Sequence, residues 1–158
     1  MMQRVPMTKQ GAEALREQLN YLKGEKRHKI IANIEEARAH GDLSENAEYH
    51  AAKEEQGMNE AKVKDLEDRL ARAQVIDPAT ITSDKIVFGA TVELVDAETE
   101  KEVTYQIVGE DEANIEQGKI SVTSPIARAL IGREEGDIAI VKAPGGEREY
   151  EITSINYV

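Results

Sequence analysis

Three carboxylates, Asp42, Glu45 and Glu48, are spaced three apart in the stretch HGDLSENAEYH, residues 40 to 50, where almost nothing apolar is available to bury them. Crowded into two helical turns, they repel one another unless a cation stands between them. Two carboxylates on a solvated loop make only part of a magnesium site, because Mg2+ wants near-octahedral oxygen and usually completes its shell with waters and a substrate phosphate. The chemistry suggested is phosphoryl transfer in which this chain brings one added cation and one oriented water to a centre that another molecule completes. The three carboxylates are the candidate metal-holding groups, and they offer only half of a site, with no cation held stably by the isolated chain. Arg38 and Lys53 stand just before and just after the stretch, placed to meet a phosphate chain. A plainer reading also fits the local sequence. Gly41 suits the left-handed residue that ends one helix, and Asp42 and Glu45 have the spacing of a capping box that opens the next. His40 and His50 flank the carboxylates, but a hairpin end lacks the closed four-ligand geometry of a zinc site, so no zinc is expected. Asn46 and Glu48 fit either a supporting position around the carboxylates or the ordinary first turn of a helix, and neither is assigned a role.

The carboxylates need a scaffold, and the flanking sequence supplies it. From Thr8 to about Ala39 there is no proline, and Leu15, Leu19, Leu22, Ile30, Ile34 and Ala37 recur at helical spacing. The step from Leu22 to Ile30 is eight residues rather than seven, which predicts a local shift of the seam of the kind an eleven-residue repeat makes. Thr8 is the predicted N-cap, with Met7 and Ala12 as a hydrophobic staple. A second stripe, Ala47, Ala51, Val63, Leu66, Leu70 and Ala73, runs without proline until Pro78. Each stripe is too narrow to enclose its own core, so an antiparallel coiled-coil hairpin with a connection of about four residues is expected. Arms of about 30 residues give a rod of about 45 Å. Ordering so long a rod is costly, and reach is what would offset the cost.

Beyond VIDPATITSDK the pattern changes to short β-branched runs at Ile86–Val95, Val103–Val108, Ile120–Val122, Ile138–Val141 and Tyr150–Ile155, which read as strands. PGGE at 144 to 147 is a turn between the last two, and SPIARALIG from Ser124 reads as a short helix with Ser at the N-cap and Pro at N1. The predicted fold is therefore α+β, divided into a helical hairpin over residues 1–76 and a small second domain over 77–158.

Charge divides the same way. Up to Ile76 there are 13 Lys and Arg against 14 Asp and Glu; from Asp77 onward the counts are 7 and 17. An acidic second half repels phosphate backbones and favours a basic protein surface, so little independent nucleic-acid binding is expected. No apolar run approaches the roughly 20 residues that cross a bilayer and no secretory signal is recognisable, so a cytoplasmic protein with no membrane contact is expected; the absence of cysteine rules out disulfides and thiolate metal sites but fits any compartment.

The tip motif HGDLSENAEYHAAKEEQG, followed by VFGATVEL and SPIARALIGREEGD in that order and spacing, resembles the bacterial transcript cleavage factors of the Gre family over essentially the whole chain. The resemblance implies a factor, not itself an enzyme, that inserts its coiled coil into the secondary channel of RNA polymerase. There it stimulates the polymerase's intrinsic endonucleolytic cleavage of backtracked nascent RNA and so rescues arrested complexes. It implies that Asp42 and Glu45 help hold a Mg2+ shared with the polymerase active site and position the attacking water. It further implies that Arg38 and Lys53 face the extruded RNA 3′ end, and that an FKBP-like second domain grips the polymerase through Thr123, Ser124 and Pro125, the factor acting as a monomer. Lys53 stands where arginine is expected, which keeps the charge and loses the bidentate fork. Two other readings are open: a channel-occupying relative that inhibits the polymerase without cleavage, and a prolyl isomerase built on the second half. The isomerase needs aromatic walls, and from residue 77 onward only Phe88, Tyr105, Tyr150 and Tyr157 are available.

Overall fold

The computed structural model describes residues 3–42 and 45–158. The chain forms two compact units, Ala12–Arg72 and a second built from Met1–Gly11 together with Ala73–Val158. The boundary therefore differs from a division at residue 76. Strand β1 (Val5–Thr8) pairs in parallel with β2 (Ala73–Ile76), in register from Val5 opposite Ala73 to Thr8 opposite Ile76. Parallel strands require a long crossover, and here the whole hairpin is that connection. Both strands thus join the sheet-bearing unit.

The helical unit starts in α1 (Lys9–Tyr21), passes through one π turn (Leu22–Lys26), and continues as α2 (Arg27–Arg38). Thr8 caps α1, its hydroxyl oxygen accepting from the Gly11 amide at 3.1 Å, and Met7 and Ala12 are each fully buried. The π turn corrects the expected eleven-residue shift. A π turn takes up one residue more than an α turn, so the eight-residue step leaves Leu22 and Ile30 on the same buried face, 6% and 2% exposed. The irregularity is confined to a single wide turn instead of being spread along the arm.

The return arm α3 (Ala47–Arg72) buries Ala52, Asn59, Val63 and Leu66. Ala47 and Ala51, which the sequence pattern puts in the seam, are exposed. The true seam steps in sevens through Ala52, Asn59 and Leu66, and its polar middle member hides it from an apolar count. Leu22, Val63 and Leu66 pack with Leu15 and Leu19 in one cluster; Ile30, Ile34 and Ala52 pack with Tyr49 in another. Between them Arg27 pairs with Glu60 through two bonds of 2.8 and 2.9 Å.

In the other unit a five-stranded sheet runs β5-β4-β3-β7-β6, from β3 (Thr91–Asp96), β4 (Glu102–Val108), β5 (Lys119–Ser121), β6 (Ile138–Ala143) and β7 (Gly146–Asn156). Only β5 joins in parallel, against β4. The helix α4 (Pro125–Leu130) and the sheet bury Val92, Leu94, Ile107, Ile120, Ala127, Leu130, Ala139 and Ile152 in one core. The expected long strand from Ile86 shortens to Thr91, because Gly89 takes φ +93° and the Ala90 amide turns back to the Val87 carbonyl at 3.1 Å. Ile86 is nevertheless fully buried, from a loop.

Candidate functional site at the hairpin apex

The first arm ends as the sequence suggests. The amides of His40 and Gly41 fold back at 3.2 Å onto the carbonyls of Ala37 and Arg38, and Gly41 has φ +104°. The second arm does not begin as a capping box would have it. Helix α3 starts at Ala47, and its N-cap is Asn46, whose side-chain oxygen accepts from the Tyr49 amide at 3.0 Å. Eight residues, 39–46, therefore lie between the helices, against the four expected. Part of the expected box, Leu43 and Ser44, lies outside the described residues. Asp42 and Glu45 precede the Asn46 cap and are exposed. Glu48 sits in the first turn of α3, where its charge complements the helix dipole, with its carboxylate 3.8 Å from His40 Nε2.

The apex donors suit a hard divalent ion: carboxylate oxygens, exposed, with cysteine absent from the chain. Among the described residues no cluster of three or more His, Asp or Glu is assembled to hold a metal. His40 and His50 form no such group; His50 instead meets the Tyr49 ring edge-on, with centroids 5.7 Å apart.

Arg38 and Lys53 are exposed on the two arms behind the apex. The Arg38 guanidinium lies 5.9 Å from the centre of the Tyr49 ring, a cation–π contact, and Lys53 donates to Gln56 at 3.0 Å. Tyr49 and Lys53 are one helical turn apart, so Arg38, Tyr49 and Lys53 run along one flank. Tyr49 is a member of this flank that the motif spacing does not single out. Its position four before Lys53, as the one aromatic residue between Asn46 and Lys53, is the available signal.

In the other unit, Thr123, Ser124 and Pro125 lead into α4. Ser124 is the cap, accepting from the Ala127 amide at 3.3 Å and donating to the Ser121 carbonyl at 2.7 Å. Thr123 and Pro125 are exposed, and the Thr123 hydroxyl donates to Glu110 at 2.9 Å. The aromatic side chains of this unit serve packing. Tyr150 is buried in the core, and Phe88, Tyr105 and Tyr157 pack against it. The Tyr157 hydroxyl is further held by the Lys85 carbonyl at 2.6 Å and the Val87 amide at 3.1 Å.

Residues 5–75 match the family model described as transcription elongation factor, N-terminal, and residues 81–157 match transcription elongation factor, GreA/GreB, C-term. Transcription elongation factor GreA of Alkalilimnicola ehrlichii is 61% identical over 157 residues, covering 99% of each chain. Its namesake from Thioalkalivibrio sulfidiphilus is 59% identical over 158 residues, covering 99% of this chain and 100% of that one. Among solved structures, GreA factor homolog 1 (Gfh1) of Thermus thermophilus is 31% identical over 98% of this chain and 99% of its own, at a TM-score of 0.44.

Proposed function

The chain belongs to the GreA/GreB family of transcription elongation factors, and on that premise we propose that it inserts its helical hairpin into the secondary channel of bacterial RNA polymerase and stimulates the polymerase's intrinsic cleavage of backtracked RNA. The observation that supports this most directly is the division of labour at the apex. Asn46 caps α3, and Asp42 and Glu45 lie exposed before it. Both carboxylates stand exposed at the end of the rod, where oxygens of another molecule can reach them.

In this reading Asp42 and Glu45 hold Mg2+ only together with oxygens from the polymerase active site. When bound, the ion supplies charge neutralisation at the phosphate and a more acidic water. The chain's own contribution is to deliver the two carboxylates and orient that water. Arg38 and Lys53, along the flank with Tyr49, contact the backbone of the displaced RNA 3′ end. Thr123, Ser124 and Pro125 form the docking segment for the polymerase, whose basic surfaces the acidic second half complements. The factor works as a cytoplasmic monomer and has no nuclease activity alone.

The test is cleavage of end-labelled RNA in a defined backtracked complex. Asp42→Asn and Glu45→Gln are each expected to slow stimulated cleavage by at least about 100-fold, more than the loss of an outer-shell partner costs. Competition for polymerase binding should stay at the wild-type level. Undiminished cleavage by either variant would overturn the mechanism. Slower nucleotide addition without any shortened transcript would identify a non-cleaving inhibitor instead.

A further inference from the structure

The amide of Asn46 is bonded at both ends. Its oxygen accepts from the Tyr49 amide of α3, while its nitrogen donates to the Ala37 carbonyl in the last turn of α2 at 2.6 Å. Asn46 also remains in the backbone ladder, its carbonyl accepting from His50 at 3.1 Å. Ala37 is itself buried, 3% exposed, so the anchor on the first arm is a packed one. One side chain therefore closes the base of the loop that carries Asp42 and Glu45.

We propose that Asn46 is a positioning residue, setting where the two apex carboxylates stand by clamping the ends of both arms; this rests on the cleavage reading above. The residue type is informative. Aspartate, serine and asparagine cap helices about equally well, so capping alone does not require an amide. Aspartate has the same length but only accepts, and serine is too short to serve both arms. Only the asparagine amide combines an acceptor for α3 with a donor for α2 at this reach. Glu45 is its chain neighbour and Asp42 lies four residues back, so freedom at the loop base passes directly to both carboxylates.

Asn46→Asp and Asn46→Ser keep an acceptor for Tyr49 and remove the clamp on Ala37, so both are expected to retain wild-type helicity by circular dichroism. In the full-length protein, amide hydrogen exchange at His40 and Gly41, which donate to the Ala37 and Arg38 carbonyls, should accelerate by about 10-fold in each, reporting loop opening without polymerase or metal. In the cleavage assay, the Mg2+ concentration for half-maximal rate should rise by about 10-fold, as for loss of an outer-shell partner. The Asn46→Asp variant is the sharper of the two. Its added negative charge by itself lowers the Mg2+ requirement, whereas lost positioning raises it. Wild-type exchange rates, or an unchanged or lower Mg2+ requirement in both variants, would overturn the proposal. Asp42→Asn, run alongside, separates the two ideas. If it abolishes cleavage while the Asn46 variants match wild type, only the positioning role falls; if it leaves cleavage intact, the cleavage reading falls and takes the positioning role with it.

Discussion

The Asn59 side chain of the return arm donates to the Leu22 carbonyl at 3.0 Å, joining the polar member of one heptad seam to the start of the π turn in the other arm. Asn59 is 4% exposed, and its side-chain oxygen has no hydrogen-bond partner among the described residues. A buried asparagine at a seam position costs stability and fixes register. Asn59→Ala, which leaves a gap and removes the bond to Leu22, is expected to lower unfolding stability by about 1–2 kcal/mol. Asn59→Leu is expected to reach or exceed the wild-type urea midpoint, because it removes an unbonded buried oxygen. Urea titration of the two variants checks the pair.

Glu112 ties the N-terminal strand to the loop after β4. Its carboxylate accepts from the Thr8 amide at 2.9 Å and from the Gly109 amide at 3.0 Å, and it also accepts from the Thr8 hydroxyl. Glu112→Ala should cost about 1.5–3 kcal/mol, the range for hydrogen bonds to a charged group. Gly11→Ala should cost nearly as much by a different route, since a Cβ there would come within 2.0 Å of the same carboxylate and push it off its donors. Gly109→Ala should cost more than either. Its Cβ would meet the Pro6 carbonyl oxygen at 2.4 Å, and backbone cannot swing aside as a glutamate can. Thermal unfolding of the three variants ranks them.

Gly57 lies inside α3 with open space around the position of an added Cβ. Gly57→Ala should therefore raise stability by about 0.5–1 kcal/mol, from the reduced entropy of the unfolded chain. A shift in the thermal midpoint reports it. A fall in stability would mean that the helix there depends on the glycine backbone.

Asp96 provides the pH dependence. Its carboxylate accepts from the amides of Glu98 at 2.9 Å and Thr99 at 3.2 Å, and Arg148 approaches to 3.7 Å. These hydrogen bonds, with a smaller contribution from the Arg148 charge, hold its pKa below the ordinary value despite opposition from burial. The folded pKa lies below the unfolded value of about 3.9, so this stabilisation is complete above that pH and is lost as pH falls through the folded pKa. Asp96→Asn should therefore be less stable than wild type near neutrality, and the gap between their urea midpoints should narrow as pH is lowered below about 4. A constant gap would mean the charge contributes nothing.

The two helical arms, the last two strands with their PGGE turn, and the Ser-Pro start of α4 were legible in the sequence, because each is written in local periodicity or in the backbone preferences of one or two residues. The exposed pair Asp42 and Glu45 was legible as well, since nothing nearby is apolar enough to bury them. Which residue caps α3 was not. Asp42, Ser44 and Asn46 are all good N-cap types, and the choice of Asn46 couples to a carbonyl on the opposite arm, nine positions away, that no local pattern reveals. The same limit hid the pairing of β1 with β2, two four-residue strands brought together across the entire hairpin. It also hid the heptad seam through Asn59, whose fitness for burial depends on the Leu22 carbonyl facing it. Short-range preference is carried by each residue's own backbone and side chain, so the chain alone determined its helices and its acidic apex. Register, cap choice and strand partner are settled by groups distant in the chain, and only tertiary packing brings those groups within hydrogen-bonding reach.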